Sequence, residues 1–234
     1  MSDFLDTAQA HPDISSVFAQ DDGASMIQTL LLYAPDAFID YDAAQASFDS
    51  PEFLRLLELA KRQTQPEAES PREALLTGQT LLEQLMFGRA QEFEAEYADG
   101  LNELSFPGFP GAGSASFYLT LPMAIPVNAQ EKEGAWAFLK LLITEPLYAA
   151  RSRGGWLPVQ SDFEKKTAAM TDTDAQRLLR ELQAEAVSVF EYDAAVSGIL
   201  ADELPYYFAE EQSAGQIADR IQRRVQLYLE ETRR

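Results

Sequence analysis

The chain contains no cysteine among its 234 residues. Disulfide frameworks, thiolate metal sites and cysteine nucleophiles are therefore excluded. The single histidine, His11, stands next to a proline near the chain start, so a site built on two histidines is excluded as well. We therefore expect neither a metal nor a cofactor. Because the side chains that most enzymes rely on are missing, we also expect a protein that is not an enzyme.

Basic residues are scarce, with 18 Lys and Arg against 38 Asp and Glu, and the formal net charge is −20. So negative a surface repels phosphate backbones and anionic lipid, which argues against nucleic-acid binding and electrostatic membrane attachment. No apolar run reaches the roughly 18 residues that a membrane-spanning helix needs. The first 13 residues have neither a basic nor an apolar region of the kind found in signal peptides, so we expect no export signal in this chain.

Apolar residues recur at helical spacing over much of the chain, and serines mark several helix starts: Ser2, Ser50 before Pro51, and Ser213 with Gln216. Helices are predicted over about 2–10, 25–33, 51–62, 90–98, 131–143, 173–188, 193–209 and 213–231. Strands are predicted at about 14–18 and at about 117–127. Residues 75–87 are ambiguous between strand and helix, and Thr77, Thr80 and the apolar residues favour a strand pair around Gly78. The pattern indicates an α/β fold that is rich in helix.

The two tryptophans lie in different contexts. Trp156 is in a glycine-flanked turn, Gly154 to Pro158, where an exposed indole can stack on a ligand or fold back onto its own domain. Trp136 lies within an amphipathic helix, which predicts a place in the core.

Several segments in fixed order resemble a known family. They are Asp49–Phe53 (DSPEF), Ser105–Gly111 (SFPGFPG), Glu131–Leu142 (EKEGAWAFLKLL), Gly154–Val159 (GGWLPV) and a final helix with Ile217, Ile221 and Val225. Their order and spacing are similar to those of the family 1 extracellular solute-binding proteins of ABC importers. The similarity spans nearly the whole chain.

The resemblance implies a type II periplasmic-binding-protein-like lobe, helix-rich with a small mixed sheet, in which the second lobe is incomplete and most of the first is missing. Residues 1–112 would form a second-lobe segment. Residues 113–155 would cross with a strand and a helix that belong partly to the first lobe, and residues 156–234 would return to the second lobe as helices. The full-length parent would be an extracellular, cell-surface or periplasmic protein, such as a lipoprotein.

By position, the resemblance places six residues at the ligand cleft: Asp21, Asp22, Ser25, Phe87, Trp156 and Tyr192. The carboxylates would accept hydrogen bonds from sugar hydroxyls, and the aromatic rings would stack. Each also has a structural interpretation. Asp21 and Asp22 can cap the next helix, Phe87 can belong to the core, and Tyr192 can be a surface residue at a helix start.

The expected function is capture of a small solute, an oligosaccharide, for delivery to the membrane permease subunits of an ABC importer. Two alternatives stay open. One is an acidic helical module that binds other proteins, and the other is a glycosidase with a pair of carboxylates. If the strand predicted at 117–127 leaves a sheet edge uncovered, the chain is also expected to self-associate through that edge.

Overall fold

The computed structural model describes residues 1–14, 16–19, 22–64, 70–83, 85, 90–100, 123–142, 173–185 and 193–232. The chain divides into two compact units. The first combines the residues up to 84 with those from 190 onward, and the second is formed largely by the residues between them. The segment boundaries expected after residues 112 and 155 lie outside the described residues and stay a prediction.

The described part of the chain is helix-rich with a few short strands, which confirms the broad α/β class. Its helices are α1 (Ser2–Ala10), α2 (Gly23–Tyr33), α3 (Pro51–Lys61), α4 (Pro71–Leu76), α5 (Ala90–Ala98), α6 (Lys132–Leu142), α7 (Asp174–Glu185), α8 (Ala194–Phe208) and α9 (Ala214–Thr232). Its strands are β1 (Ser16–Phe18), β2 (Ile39–Asp40), β3 (Gln45–Ala46) and β4 (Thr80–Leu82), and a 3-10 turn, Pro35–Ala37, precedes β2.

Local capping explains where several helices begin. The Ser50 hydroxyl accepts the backbone N–H three residues later at 3.3 Å, as predicted. At α9 the two predicted partners bond reciprocally: Ser213 N donates to Gln216 Oε1 at 2.9 Å, and Gln216 N donates to Ser213 Oγ at 3.4 Å. The prediction for Ser2 is wrong. It is the first residue of α1, and Met1, which makes no side-chain capping bond, stands at the cap position.

The predicted strand pair over residues 75–87 is also wrong in its first half. Ser70 accepts a hydrogen bond from Glu73 N at 3.1 Å and starts α4, which continues to Leu76. Gly78 then adopts a φ of 70°, a left-handed conformation that suits glycine, and β4 follows. The Ser-Pro-x-Glu start signal therefore outweighs the strand preference of the threonines at this place.

The strands form two separate pairs where a single small mixed sheet was expected. β1 and β4 are parallel, with Ser16 opposite Thr80, and β2 and β3 are antiparallel. The other edge of β1 is covered by a side chain: Val17 N donates to Gln63 Oε1 at 2.8 Å, and Gln63 Nε2 donates to the Phe18 carbonyl at 2.9 Å. One amide side chain thus takes the place of a neighbouring strand.

The core of the first unit lies where α2, α3, α8 and α9 pack together. Three phenylalanines form its centre, with ring centroids 5.0 to 5.8 Å apart: Phe38, Phe48 and Phe53. The predicted apolar face of α9 is buried through Ile217, Ile221 and Val225. Burial of these large side chains is the dominant stabilising contribution in this unit.

Two glutamines one turn apart on α9 hold the backbone around β3. Gln222 accepts from Phe48 N at 2.7 Å and donates to the Ala46 carbonyl at 2.9 Å. Gln226 accepts from Ala46 N at 3.0 Å and donates to the Ala44 carbonyl at 3.1 Å. Because these backbone groups are satisfied by side chains, a two-residue strand can persist at the edge of its sheet.

In the second unit, α5 and α7 pack around the buried side chains of Phe93 and Ala175. The exposed fraction of Trp136 on α6 is 51%, so its predicted place in the core is wrong. Of the strand predicted at 117–127, residues 117–122 lie outside the described residues and 123–127 are not in a strand. The self-association expected through its edge therefore stays a prediction.

Candidate functional site: a cavity between two helices

A cavity of about 210 Å³ lies in the first unit, along the groove between α2 and α8 and beside the start of the β2–β3 turn. Its lining combines apolar side chains with hydroxyl, amide and carboxyl groups. The lining residues are Ser25, Gln28, Thr29, Leu31, Leu32, Pro35, Ile39, Tyr41, Asp193, Val196, Ser197 and Leu200. A concave surface with an apolar floor and a few convergent polar groups is typical of small-molecule sites.

The α2 end of the cavity is organised by a helix cap. Asp22 Oδ1 accepts the backbone N–H of Ser25 at 2.8 Å, which satisfies one of the unpaired donors in the first turn. This hydrogen bond lowers the pKa of the Asp22 carboxyl below its ordinary value. Asp22 is therefore a capping residue, as its structural interpretation proposed, and Ser25 is the residue of this segment that lines the cavity.

The α8 end is organised by a second aspartate. Asp193 Oδ1 accepts the backbone N–H groups of Ala195 and Val196 at 3.0 and 3.1 Å, which caps α8. The phenolic O–H of Tyr41 donates a hydrogen bond to Asp193 Oδ2 at 3.1 Å, between residues 152 positions apart in the sequence. Asp193 also lies close enough to Tyr228 on α9 to raise the pKa of that phenol, after the larger effect of burial. One carboxylate thus ties α8 to the β2–β3 turn through its hydrogen bonds.

The environment of Tyr41 makes its ionisation unfavourable. Partial burial of the phenol, in a residue that is still 44% exposed, raises its pKa above the ordinary value, and the negative charge and hydrogen bond of Asp193 raise it further. Asp36, in the preceding 3-10 turn, contributes in the same direction. Tyr41 is therefore a neutral hydrogen-bond donor at this cavity throughout the physiological pH range.

Among the described residues that line the cavity, Asp193 alone is charged and none is basic. A glycosidase of the kind considered above needs two carboxylates on opposite sides of a sugar bond. The described lining supplies one, and that one is committed to a helix cap and to Tyr41. Hydroxyl and amide groups from Ser25, Gln28 and Thr29 provide the remaining polarity on the α2 side.

Of the six residues predicted for a ligand site, Ser25 lines this cavity and Asp22 lies three positions before it. The other four lie outside the described residues: Asp21, Phe87, Trp156 and Tyr192. Sequence reasoning missed Asp193 and Tyr41. An acidic residue at the start of a predicted helix is a capping signal, so Asp193, the first residue of the helix predicted at 193–209, was accessible to it. No local pattern connects Tyr41 to that cap.

Within the described ranges, no group of three or more His, Cys, Asp or Glu side chains is arranged to hold a metal ion. Among these same residues, no helix combines the length and apolar character required to cross a bilayer.

A comparison of the chain with protein-family models finds no match. A comparison with curated proteins finds none either.

Proposed function

We propose that this chain captures a small solute, an oligosaccharide, as part of the extracellular solute-binding component of an ABC importer. Its lobe would be of the type II periplasmic-binding-protein kind, and its partners would be the permease subunits. The observation that carries the proposal is the cavity between α2 and α8, which mixes hydroxyl and amide groups with an apolar floor. Ser25, which the family resemblance assigns to the ligand site, contributes to that lining.

The size of the cavity bears on how a solute would be held. Sites for complete small ligands usually enclose about 300 to 1,000 Å³. At about 210 Å³ this cavity accommodates one end of an oligosaccharide, such as a single sugar ring. The remaining rings would need other surfaces, supplied in the intact binding protein by a second lobe that closes over the solute. We therefore expect this chain alone to bind with dissociation constants of roughly millimolar or weaker.

Titration of the isotopically labelled chain with glucose, maltose and maltotriose, followed by NMR chemical shifts, tests the proposal. We expect shifts concentrated on the amides of Ser25, Thr29 and Ser197. Ser25→Tyr should abolish these shifts, because the larger side chain fills the cavity. The variant should still fold, since Ser25 is exposed and its replacement need not disturb the core. Ser47→Tyr, on an exposed residue outside the lining, is the matched control.

An absence of shifts at about 100 mM of every sugar would overturn the proposal, since even binding weaker than millimolar is visible at that concentration. Shifts that persist in Ser25→Tyr would also contradict it, because the sugars would then bind elsewhere.

One observation favours the alternative of a protein-binding module. The exposed fractions of two large apolar residues one turn apart on α6 are 58% for Phe138 and 54% for Leu141. Neighbouring exposed apolar side chains are common at protein interfaces. If α6 binds a partner, Phe138→Asp should prevent co-purification of that partner from the native host without changing the circular dichroism of the chain. Sugar binding at the cavity should be unaffected.

A further inference from the structure

The charged residue in the described lining of the cavity is acidic, and two further acidic residues lie near it. Asp193 is in the lining, and Asp36 is close enough to raise the pKa of Tyr41. Asp22 caps the helix that carries Ser25. No basic residue is among the described residues of the lining. A ligand group that enters therefore meets a negative potential that no neighbouring cation in the lining offsets.

Two helix N-termini at the cavity would ordinarily favour the opposite sign. The first turn of a helix offers unpaired N–H groups and about half a positive charge, which suits phosphate and carboxylate ligands. At α2 the N–H of Ser25 is already bonded to the Asp22 side chain, and at α8 the N–H groups of Ala195 and Val196 are bonded to Asp193. Each carboxylate carries a full negative charge, so each capped end is negative by about half a charge. A carboxylate of the chain thus lies at each of the two places where an anion would bind.

Asp193 already accepts most of the hydrogen bonds that its oxygens can hold. A carboxylate accepts about four hydrogen bonds. Asp193 accepts two from backbone N–H groups and one from Tyr41. Its charge lies at the wall of the cavity, so it acts on a ligand mainly through the electric field.

We infer that Asp193 is a specificity-determining residue that excludes anionic solutes from this cavity, which accepts uncharged, hydroxyl-bearing groups and rejects phosphorylated or carboxylated ones. The identity of the solute in this inference rests on the proposed function. The negative sign of the electric field at the cavity does not. Against one negative charge on a ligand about 8 Å away, the Asp193 charge lowers affinity by roughly tenfold or more at an effective dielectric constant of about 20.

The field is measurable without any bound solute. Matched nitroxide probes, one cationic and one anionic, enhance proton relaxation in proportion to their local concentrations. At the amides of Ser25 and Thr29, the anionic probe should be depleted relative to the cationic one. Asp193→Asn, which retains a good capping residue, should raise the anionic-to-cationic ratio there by about threefold or more.

Two further variants control the measurement. Asp219→Asn makes the same charge change on α9, at an exposed residue paired with Arg223, and should leave the ratio at Ser25 unchanged. Asp36→Asn removes a second charge near Tyr41 without touching a helix cap, so it keeps the test available if Asp193→Asn fails to fold. A ratio at Ser25 and Thr29 that responds to neither Asp193→Asn nor Asp36→Asn would overturn the inference.

Titration with glucose and with glucose 6-phosphate separates the inference from the proposed function. Binding of glucose together with at least tenfold weaker binding of the phosphate, relieved by Asp193→Asn, supports both. Equal binding of the two sugars overturns the inference and leaves solute capture standing. Binding of neither sugar overturns the proposed function, and the nitroxide ratios then decide the inference alone.

Discussion

Replacing Glu203 with glutamine should destabilise the first unit, because this carboxylate is buried between α8 and α9. Its side chain is 3% exposed, and its two oxygens lie 2.8 Å from Arg224 Nη1 and 2.8 Å from Arg220 Nε. Arg224 also reaches Asp202 at 2.8 Å, so the network extends to the surface. Glu203→Gln keeps the shape, removes the charge, and turns an amide N–H₂ toward an arginine donor.

The size of the effect follows from unequal burial. Removing one partner of a fully buried ion pair costs about 3–5 kcal/mol, since the remaining charge is left without compensation. Here both arginine side chains are 43% exposed and can regain water. We therefore expect a loss of about 2 kcal/mol in the free energy of unfolding, between the values for buried and exposed pairs.

Urea denaturation followed by far-ultraviolet circular dichroism measures this loss as a lower midpoint with an unchanged slope. Asp219→Asn is the matched control: its pair with Arg223 is exposed on both sides and should be worth less than about 0.5 kcal/mol. A double-mutant cycle of Glu203→Gln with Arg224→Gln should show coupling of about 1 kcal/mol or more. If Glu203→Gln changes stability by no more than the control does, the buried pair does not hold α8 to α9.

Three other perturbations test separate parts of the same unit. Gly23→Ala should lower the free energy of unfolding by about 2 kcal/mol, because its added Cβ would collide with the backbone carbonyl of Ala60. Gly198→Ala is the control: its Cβ would meet nothing within 4 Å, so it should raise that free energy by about 0.5 kcal/mol. Equal urea midpoints for the two variants would contradict the clash. Gln222→Leu should cost about 2 kcal/mol, because the Phe48 N–H and the Ala46 carbonyl each lose the bond to this side chain. Hydrogen exchange of the Phe48 amide should accelerate, and unchanged exchange there would argue against the glutamine contacts. The pKa of Tyr41 is raised in the folded state, so the unfolded chain loses this proton first as the pH rises above the ordinary value of 10.0. The free energy of unfolding should therefore fall in that range. Tyr41→Phe should make the fall shallower, and an identical slope in the variant would refute the raised pKa.

The features that sequence predicts correctly are those set by neighbouring residues. The start of α3 at Ser50 and the reciprocal cap of Ser213 and Gln216 follow from groups three positions apart. The buried face of α9 follows from helical periodicity. The error at α4 shows the same dependence, because Ser70 and Glu73 carried the start signal and the threonines beyond them were given more weight.

The features that sequence does not reveal depend on contacts between distant segments. The side chain of Gln63 completes β1 from more than 40 positions away, and the glutamines of α9 hold β3 from more than 170. Neither contact alters the local pattern around the residues that make it. The same holds for the candidate site, since the family resemblance names Ser25, whereas the bond from Tyr41 to Asp193 spans 152 positions and leaves no local pattern.

Stability and selectivity depend on the same two carboxylates at this cavity. Asp22 and Asp193 hold the first turns of α2 and α8, and those helices form the two walls of the groove. A serine or threonine would cap these helices about as well without adding a negative charge. The choice of aspartate at both caps therefore has a consequence beyond capping: it makes the cavity unfavourable for anions. Asparagine at position 193 separates the two effects, since it retains the cap while removing the charge, and its selectivity can be measured in a protein that is still folded.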